Sequence, residues 1–153
     1  MGYSFTIGEG RFVRDVDGED VWEHFVADSV HLNEAPVFDL DGMTGNGNSR
    51  HPSYSGWFDF CDDAGSQVFD LFYTTPSGHT GQGTLIPEHP GACVIEQKHL
   101  DAVDTAIYHC KKISDRSAGF RDDQDATLAW LMWLEFWFRW ALANCKNPMF
   151  INT

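Results

Sequence analysis

The residues best suited to holding a ligand lie between Gly42 and Trp57 of a 153-residue chain. Gly45 and Gly47 let backbone N–H groups approach a ligand closely. Asn46, Asn48 and Ser49 add hydrogen-bonding side chains, and Arg50 and His51 bring positive charge. The stretch feeds into a helix start at Ser53, where unpaired backbone N–H groups favour anions. Tyr54 and Trp57 then stand one turn apart, a platform for a base to stack on. This is chemistry for a phosphate- and base-bearing ligand, and Asn46, Asn48, Ser49, Arg50, His51, Ser53, Tyr54 and Trp57 are the predicted ligand-binding residues. Arg50 is the only arginine between Arg14 and Arg116. It is predicted to be an exposed loop residue whose loss weakens binding and leaves folding unchanged.

Other spacings point to known chemistry without completing it. Val37-Phe38-Asp39-Leu40-Asp41-Gly42 resembles the first motif of haloacid-dehalogenase-type phosphatases. That resemblance implies an aspartate nucleophile, a second aspartate that handles protons, and Mg²⁺ between them. The chemistry also needs a parallel βαβ sheet, a later lysine and an acidic pair. Asp62-Asp63 and Asp122-Asp123 are such pairs, but no alternating strands and helices surround them, so Asp39 and Asp41 read as solvated acids in a turn. Glu96-x-x-His99 has the spacing of one half of a di-iron site, which requires a second such pair. The seven histidines (His24, His31, His51, His79, His89, His99 and His109) read as a dispersed surface set. No catalytic residue, metal site or cofactor is predicted.

Composition narrows the class. Apolar residues make up 42% and aromatic residues 14%, enough for a packed core, and the length fits one domain spanning 1–153. Ten basic against 23 acidic residues give a net charge of −13. General nucleic-acid binding and attachment to an anionic membrane both need a basic face and are disfavoured. A basic protein partner, or a small ligand in a local site, suits this charge. Cys61, Cys93, Cys110 and Cys145 form no C-x-x-C pair, and Met1 to Thr6 lacks a basic region and an apolar signal core. Both features predict free, mostly buried thiols in a reducing cytosol.

The elements that must position these residues are read from periodicity. Residues 3–16 alternate about Gly8-Glu9-Gly10 as a small hairpin. Val21, Trp22, Phe25, Val26 and Val30 follow helical spacing over 19–30, with a strand as the alternative. Residues 36–40 are extended, 41–52 form a polar loop, and a helix opens at Ser53 and ends before Gly65. Residues 68–73 are ambiguous and 74–90 read as a long surface loop. A helix spans Ile95 to Ile113, and after a break at Gly119 a long helix runs to about Cys145, where Asn147-Pro148 ends it. Trp130, Trp133, Trp137 and Trp140 follow heptad spacing on that helix, which is apolar nearly all round apart from Glu135 and Arg139. A helix so apolar needs cover on most sides, so this tryptophan stripe is predicted to seal a homo-oligomer. A mid-length charge pair argues against a membrane span. The expected fold is α+β: a mainly helical single domain with a small N-terminal β-hairpin and a long aromatic-rich C-terminal helix.

Pro52-Ser53-Tyr54-Ser55-Gly56-Trp57-Phe58-Asp59-Phe60-Cys61, with His89-Pro90-Gly91 and Asn144-Cys145-Lys146-Asn147-Pro148, resembles a group of small uncharacterised bacteriophage proteins over roughly residues 46–153. The resemblance implies an accessory, counter-defence protein in the host bacterial cytosol. The leading expectation is a non-enzymatic binder that sequesters a nucleotide-type immune signal. The alternatives are an acidic inhibitor of a basic host effector and a metal-dependent nucleotide-degrading enzyme.

Overall fold

Strand β1 runs unbroken from Phe5 to Asp17, through the Gly8-Glu9-Gly10 segment expected to turn. The computed structural model describes residues 1–17, 20–73, 85–116 and 122–153. Strand β2, Asp20–Ala27, pairs antiparallel with β1 from Gly10↔Ala27 to Asp17↔Asp20. Residues 20–27 of the segment expected as a helix are therefore a strand, the alternative its valines had left open. The glycines in β1 make room instead of bending the chain. A Cβ at Gly10 would collide with the Met149 side chain, and one at Gly8 would press on Asn48 Nδ2 at 3.3 Å.

Three further strands complete this sheet: β5 at Ser49–Arg50, β6 at Gly91–Val94 and β7 at Pro148–Asn152. The order is β2-β1-β7-β6, with β5 pairing Phe5 and Thr6 of β1. Pro148 ends the long helix as expected, yet it also opens β7, the first strand position being one that tolerates a missing N–H. A separate two-stranded hairpin joins β3, Phe38–Leu40, to β4, Met43–Gly45. Its two loop residues, Asp41 and Gly42, have φ of 47° and 79°, the left-handed pair of a type I′ turn. All strand pairings among the described residues are antiparallel. The βαβ frame of the phosphatase motif is not here, and Asp39-Leu40-Asp41-Gly42 is hairpin. With seven strands and four helices among the described residues, the chain is α+β. The mainly helical expectation fails, because β2 lies where a helix was expected, β5 lies in the expected polar loop, and β6 and most of β7 fall where no element was expected.

The helices follow their sequence signals more closely. Helix α1, Tyr54–Ala64, starts at Ser53, whose side chain accepts from Gly56 N, and stops at Gly65 with φ 100°. Helix α2, Ser66–Phe72, follows at once and buries Val68, Leu71 and Phe72. Most of the expected 74–90 loop, like the break at Gly119, lies outside the described residues. At its end Leu85 and Ile86 are fully buried, so that part is core and not surface. Helix α3, Gln97–Arg116, opens with a reciprocal cap: Glu96 N donates to His99 Nδ1, and His99 N to Glu96 O. The Glu96-x-x-His99 spacing is thus a capping device, and His99 is buried, not on the surface.

Helix α4, Asp122–Asn144, lies through the middle of the molecule against α3, α1, β1, β3 and β7. Trp130, Trp133 and Trp137 are 3%, 0% and 0% exposed within one chain. The stripe predicted to seal a homo-oligomer is therefore covered by the chain's own sheet and helices, with only Trp140 partly open. The cover deficit behind the oligomer expectation does not exist. Among the described residues, no helix is long and apolar enough to cross a membrane.

The polar edge of α4 meets α3 through an acid pair. Arg139 Nη2 lies 3.3 Å from Asp104 Oδ2 and 3.8 Å from Glu135 Oε1. A hydrogen bond to Asp104, then burial, pushes the Glu135 carboxyl up to about 7 against an ordinary 4.5. The protonated Glu135 donates, joining the two helices. A raised acid favours the folded state in its protonated form. The stability it adds is complete below about 4.5 and lost as pH rises through about 7. Thermal melts should show Tm falling across that window, and Glu135→Gln, which keeps a donor without ionising, should flatten the fall. A wild-type Tm that is level across the window would remove the shared proton.

Candidate functional site

Three segments distant in sequence meet at one edge of the sheet. Gly91 of β6 pairs with Asn152 of β7, and Asn152 lies opposite Phe5 of β1. The Gly2–Ser53 bridge and the bond from Tyr3 N to Pro52 O (2.9 Å) bring the start of α1 to the same place. Tyr54, at the first position of α1, is 38% exposed. Its hydroxyl is 2.9 Å from His89 Nε2, and His89 Nδ1 is 2.7 Å from Asn152 Oδ1.

The direction of each bond follows from Asn152. Its Nδ2 donates to Glu88 O (2.9 Å) and Gly91 O (3.2 Å). The reverse amide orientation would set an oxygen against two carbonyl oxygens, so Oδ1 must face His89. Asn152 is fully buried, which holds that orientation. An amide oxygen only accepts, so His89 Nδ1 carries a proton, and in the neutral ring Nε2 is left as a base. Tyr54 OH therefore donates to it. A hydroxyl donating to an imidazole that is itself aligned by a third group is the arrangement that activates nucleophiles.

Tyr3 braces this chain. Its ring meets Tyr54 edge-on at 4.8 Å and His89 at 4.9 Å, and stacks on Phe5 at 5.0 Å. Tyr3 also bonds to Tyr73, and burial raises the pKa of both phenols, so neither supplies a phenolate. His51 Nδ1 is 3.0 Å from Ser4 Oγ, near the solvent.

The residues predicted to bind a ligand divide between this face and the interior. Tyr54 belongs to the face and Ser53 caps the helix that it opens, whereas His51 is bonded to Ser4. Asn48 is fully buried: its Oδ1 accepts from Val30 N (2.7 Å), and its Nδ2 donates to Ile7 O (2.6 Å) and Asp28 O (2.9 Å). Arg50 is 5% exposed, not a loop-tip cation. It donates to the carbonyls of Gly45 (2.7 Å), Ser49 (2.9 Å) and Gly47 (3.4 Å) and lies over the Trp133 ring. Burial lowers its pKa, and no carboxylate pairs with it among the described residues. Trp57 is fully buried among Phe5, Phe60, Phe72 and Trp130, so it offers no stacking face. Asn46 bonds to His31 and Leu32 O, and Ser49 to Thr6 and Ser29. The 41–52 segment is strand and bridge more than open loop.

Sequence reasoning missed Tyr3, His89 and Asn152 as site residues. His89-Pro90 is a cis pair in a turn-rich stretch, and nothing local marks Asn152. Asp41, flagged for phosphoryl chemistry, accepts instead from Trp130 Nε1 at 3.3 Å. No group of three or more potential metal ligands gathers among the described residues. All four cysteines are free, Cys61 alone being fully buried, and its burial pushes the thiol pKa well up. The chain matches no family model, no curated protein and no solved structure.

Proposed function

We propose that this chain is a ligand-binding protein that holds a small molecule of nucleotide type against the face formed by Tyr3, Tyr54 and His89 at the Ser53 end of α1. The observation that carries the reading is the exposed Tyr54–His89 pair, fixed in place by Asn152 and Tyr3. A rigid aromatic edge with a hydroxyl suits a base or sugar. The first turn of α1 suits a phosphate. Elsewhere the net charge of −13 repels anions, so such a ligand is favoured only where these groups gather. The setting proposed, sequestration of an immune signal by a phage counter-defence protein in the host cytosol, is supported by the resemblance of residues 46–153 to small phage proteins.

Native mass spectrometry after incubation with cyclic and ADP-ribose-type nucleotides tests the reading. One nucleotide should be retained with its mass intact. Tyr54→Ala should weaken retention by about 1–3 kcal/mol, the worth of one stacked base, with circular dichroism unchanged. Retention of none of the panel, or equal retention by Tyr54→Ala, contradicts the proposal. Capture of a basic protein that salt abolishes would replace it with the acidic-inhibitor reading.

A further inference from the structure

The geometry points to a covalent role for the same face: Tyr54 Oη accepts an acyl group from an activated acyl donor, with His89 as base and Asn152 as the residue that positions it. The inference rests on the Tyr54–His89 face of the binding reading but not on the nucleotide.

The bond directions carry the argument. The Tyr54 proton is already directed at His89 Nε2 over 2.9 Å, within the reach required of a general base. Asn152 keeps the Nδ1 proton in place, so that Nε2 is the receiving atom. The phenol oxygen has its lone pairs free for a carbon electrophile at an exposed position.

The nucleophile also limits the donor. A phenol has an ordinary pKa of about 10 and is a poor alkoxide-type base, so transfer to it from a simple alkyl ester runs uphill. The donor must carry a leaving group at least as acidic: a phosphate, a thiol of pKa about 8.5 or another phenol. Such groups leave as anions and need no second acid, which matches a site with one aligned imidazole. Phosphorus is the less suitable centre. Its transition state calls for arginine, lysine or metal clamps. No lysine or arginine among the described residues is bonded to Tyr54, His51 or His89, and Arg50 is turned to backbone carbonyls.

The step balances without a redox partner. Tyr54 Oη bonds to the carbonyl carbon and its proton passes to His89 Nε2. The bond from that carbon to the leaving oxygen or sulfur breaks, and the leaving group departs with the electron pair. His89 then returns its proton to water or to the departing anion. The product is an O-acyl tyrosine.

Incubation of the full chain with p-nitrophenyl acetate, and separately with acetyl phosphate, provides the test. A burst of nitrophenolate equal to the protein present is expected, with one acetyl group mapped to Tyr54 by peptide mass spectrometry. Tyr54→Phe should abolish the burst. His89→Ala should slow it by about a hundredfold and abolish the solvent deuterium isotope effect that proton transfer to Nε2 gives the burst, a signature that a structural role alone would not move. Acetylation confined to lysines or the amino terminus, equal in Tyr54→Phe, overturns the inference, as does an unchanged rate in His89→Ala. Neither probe contains a nucleotide, so failure here leaves nucleotide retention standing, and failure of retention leaves the burst standing.

Discussion

Trp133→Ala is expected to destabilise the chain by about 3–5 kcal/mol, the range for removing a buried tryptophan from a core. The indole is fully buried, its Nε1 donates to Gly47 O at 3.0 Å, and its ring lies 5.7 Å beneath the Arg50 guanidinium. Removing it opens a cavity, leaves the Gly47 carbonyl short of a donor and takes the floor from under a buried cation. Because the wall around Trp133 belongs to its own chain, urea midpoints should drop equally at low and high protein concentration. A loss that disappears as concentration rises would restore the oligomer seam.

Arg50→Ala should cost about 3 kcal/mol of stability, in the range of hydrogen bonds from a charged donor left unmade. Three carbonyls, of Gly45, Gly47 and Ser49, converge on this one guanidinium and tie β4 to β5. Arg50→Lys should recover little, since an ammonium cannot span carbonyls arranged for a planar fork. Urea denaturation measures both variants. A shift below about 0.5 kcal/mol would be that of an ordinary surface substitution and would return Arg50 to the exposed role its sequence context suggested.

Arg50 shows where sequence reading stops. Its neighbours Gly45, Gly47 and Asn48 are loop formers by composition, and composition does not reveal that β1, α4 and the Val30 segment close over them. Helices α1, α3 and α4 were legible because their limits are written locally: Ser53 as a cap, Gly65 at a left-handed stop, Pro148 beyond the last turn. The sheet was not. Gly8 and Gly10 signal a turn by type, yet they are required by Asn48 and Met149 pressing on the strand. Val21, Trp22, Phe25 and Val26 fit a helical face and a strand equally. Strands β6 and β7 are four and five residues long, too short for any period to show. The candidate site depends on those strands. Tyr54 could be singled out from its place at a helix start, but His89 and Asn152 come together only through the register of β6 with β7, which is a property of pairing and not of either segment.

The account depends most on the direction of the proton between Tyr54 and His89. Long-range ¹⁵N–¹H correlation of the His89 ring, assigned through loss of its signals in His89→Ala, reads that direction in the intact protein. The prediction is that the neutral ring carries its proton on Nδ1 and leaves Nε2 bare, the tautomer that Asn152 Oδ1 selects. A neutral ring protonated on Nε2 alone would mean that Tyr54 accepts and Asn152 does not orient, and it would contradict the site.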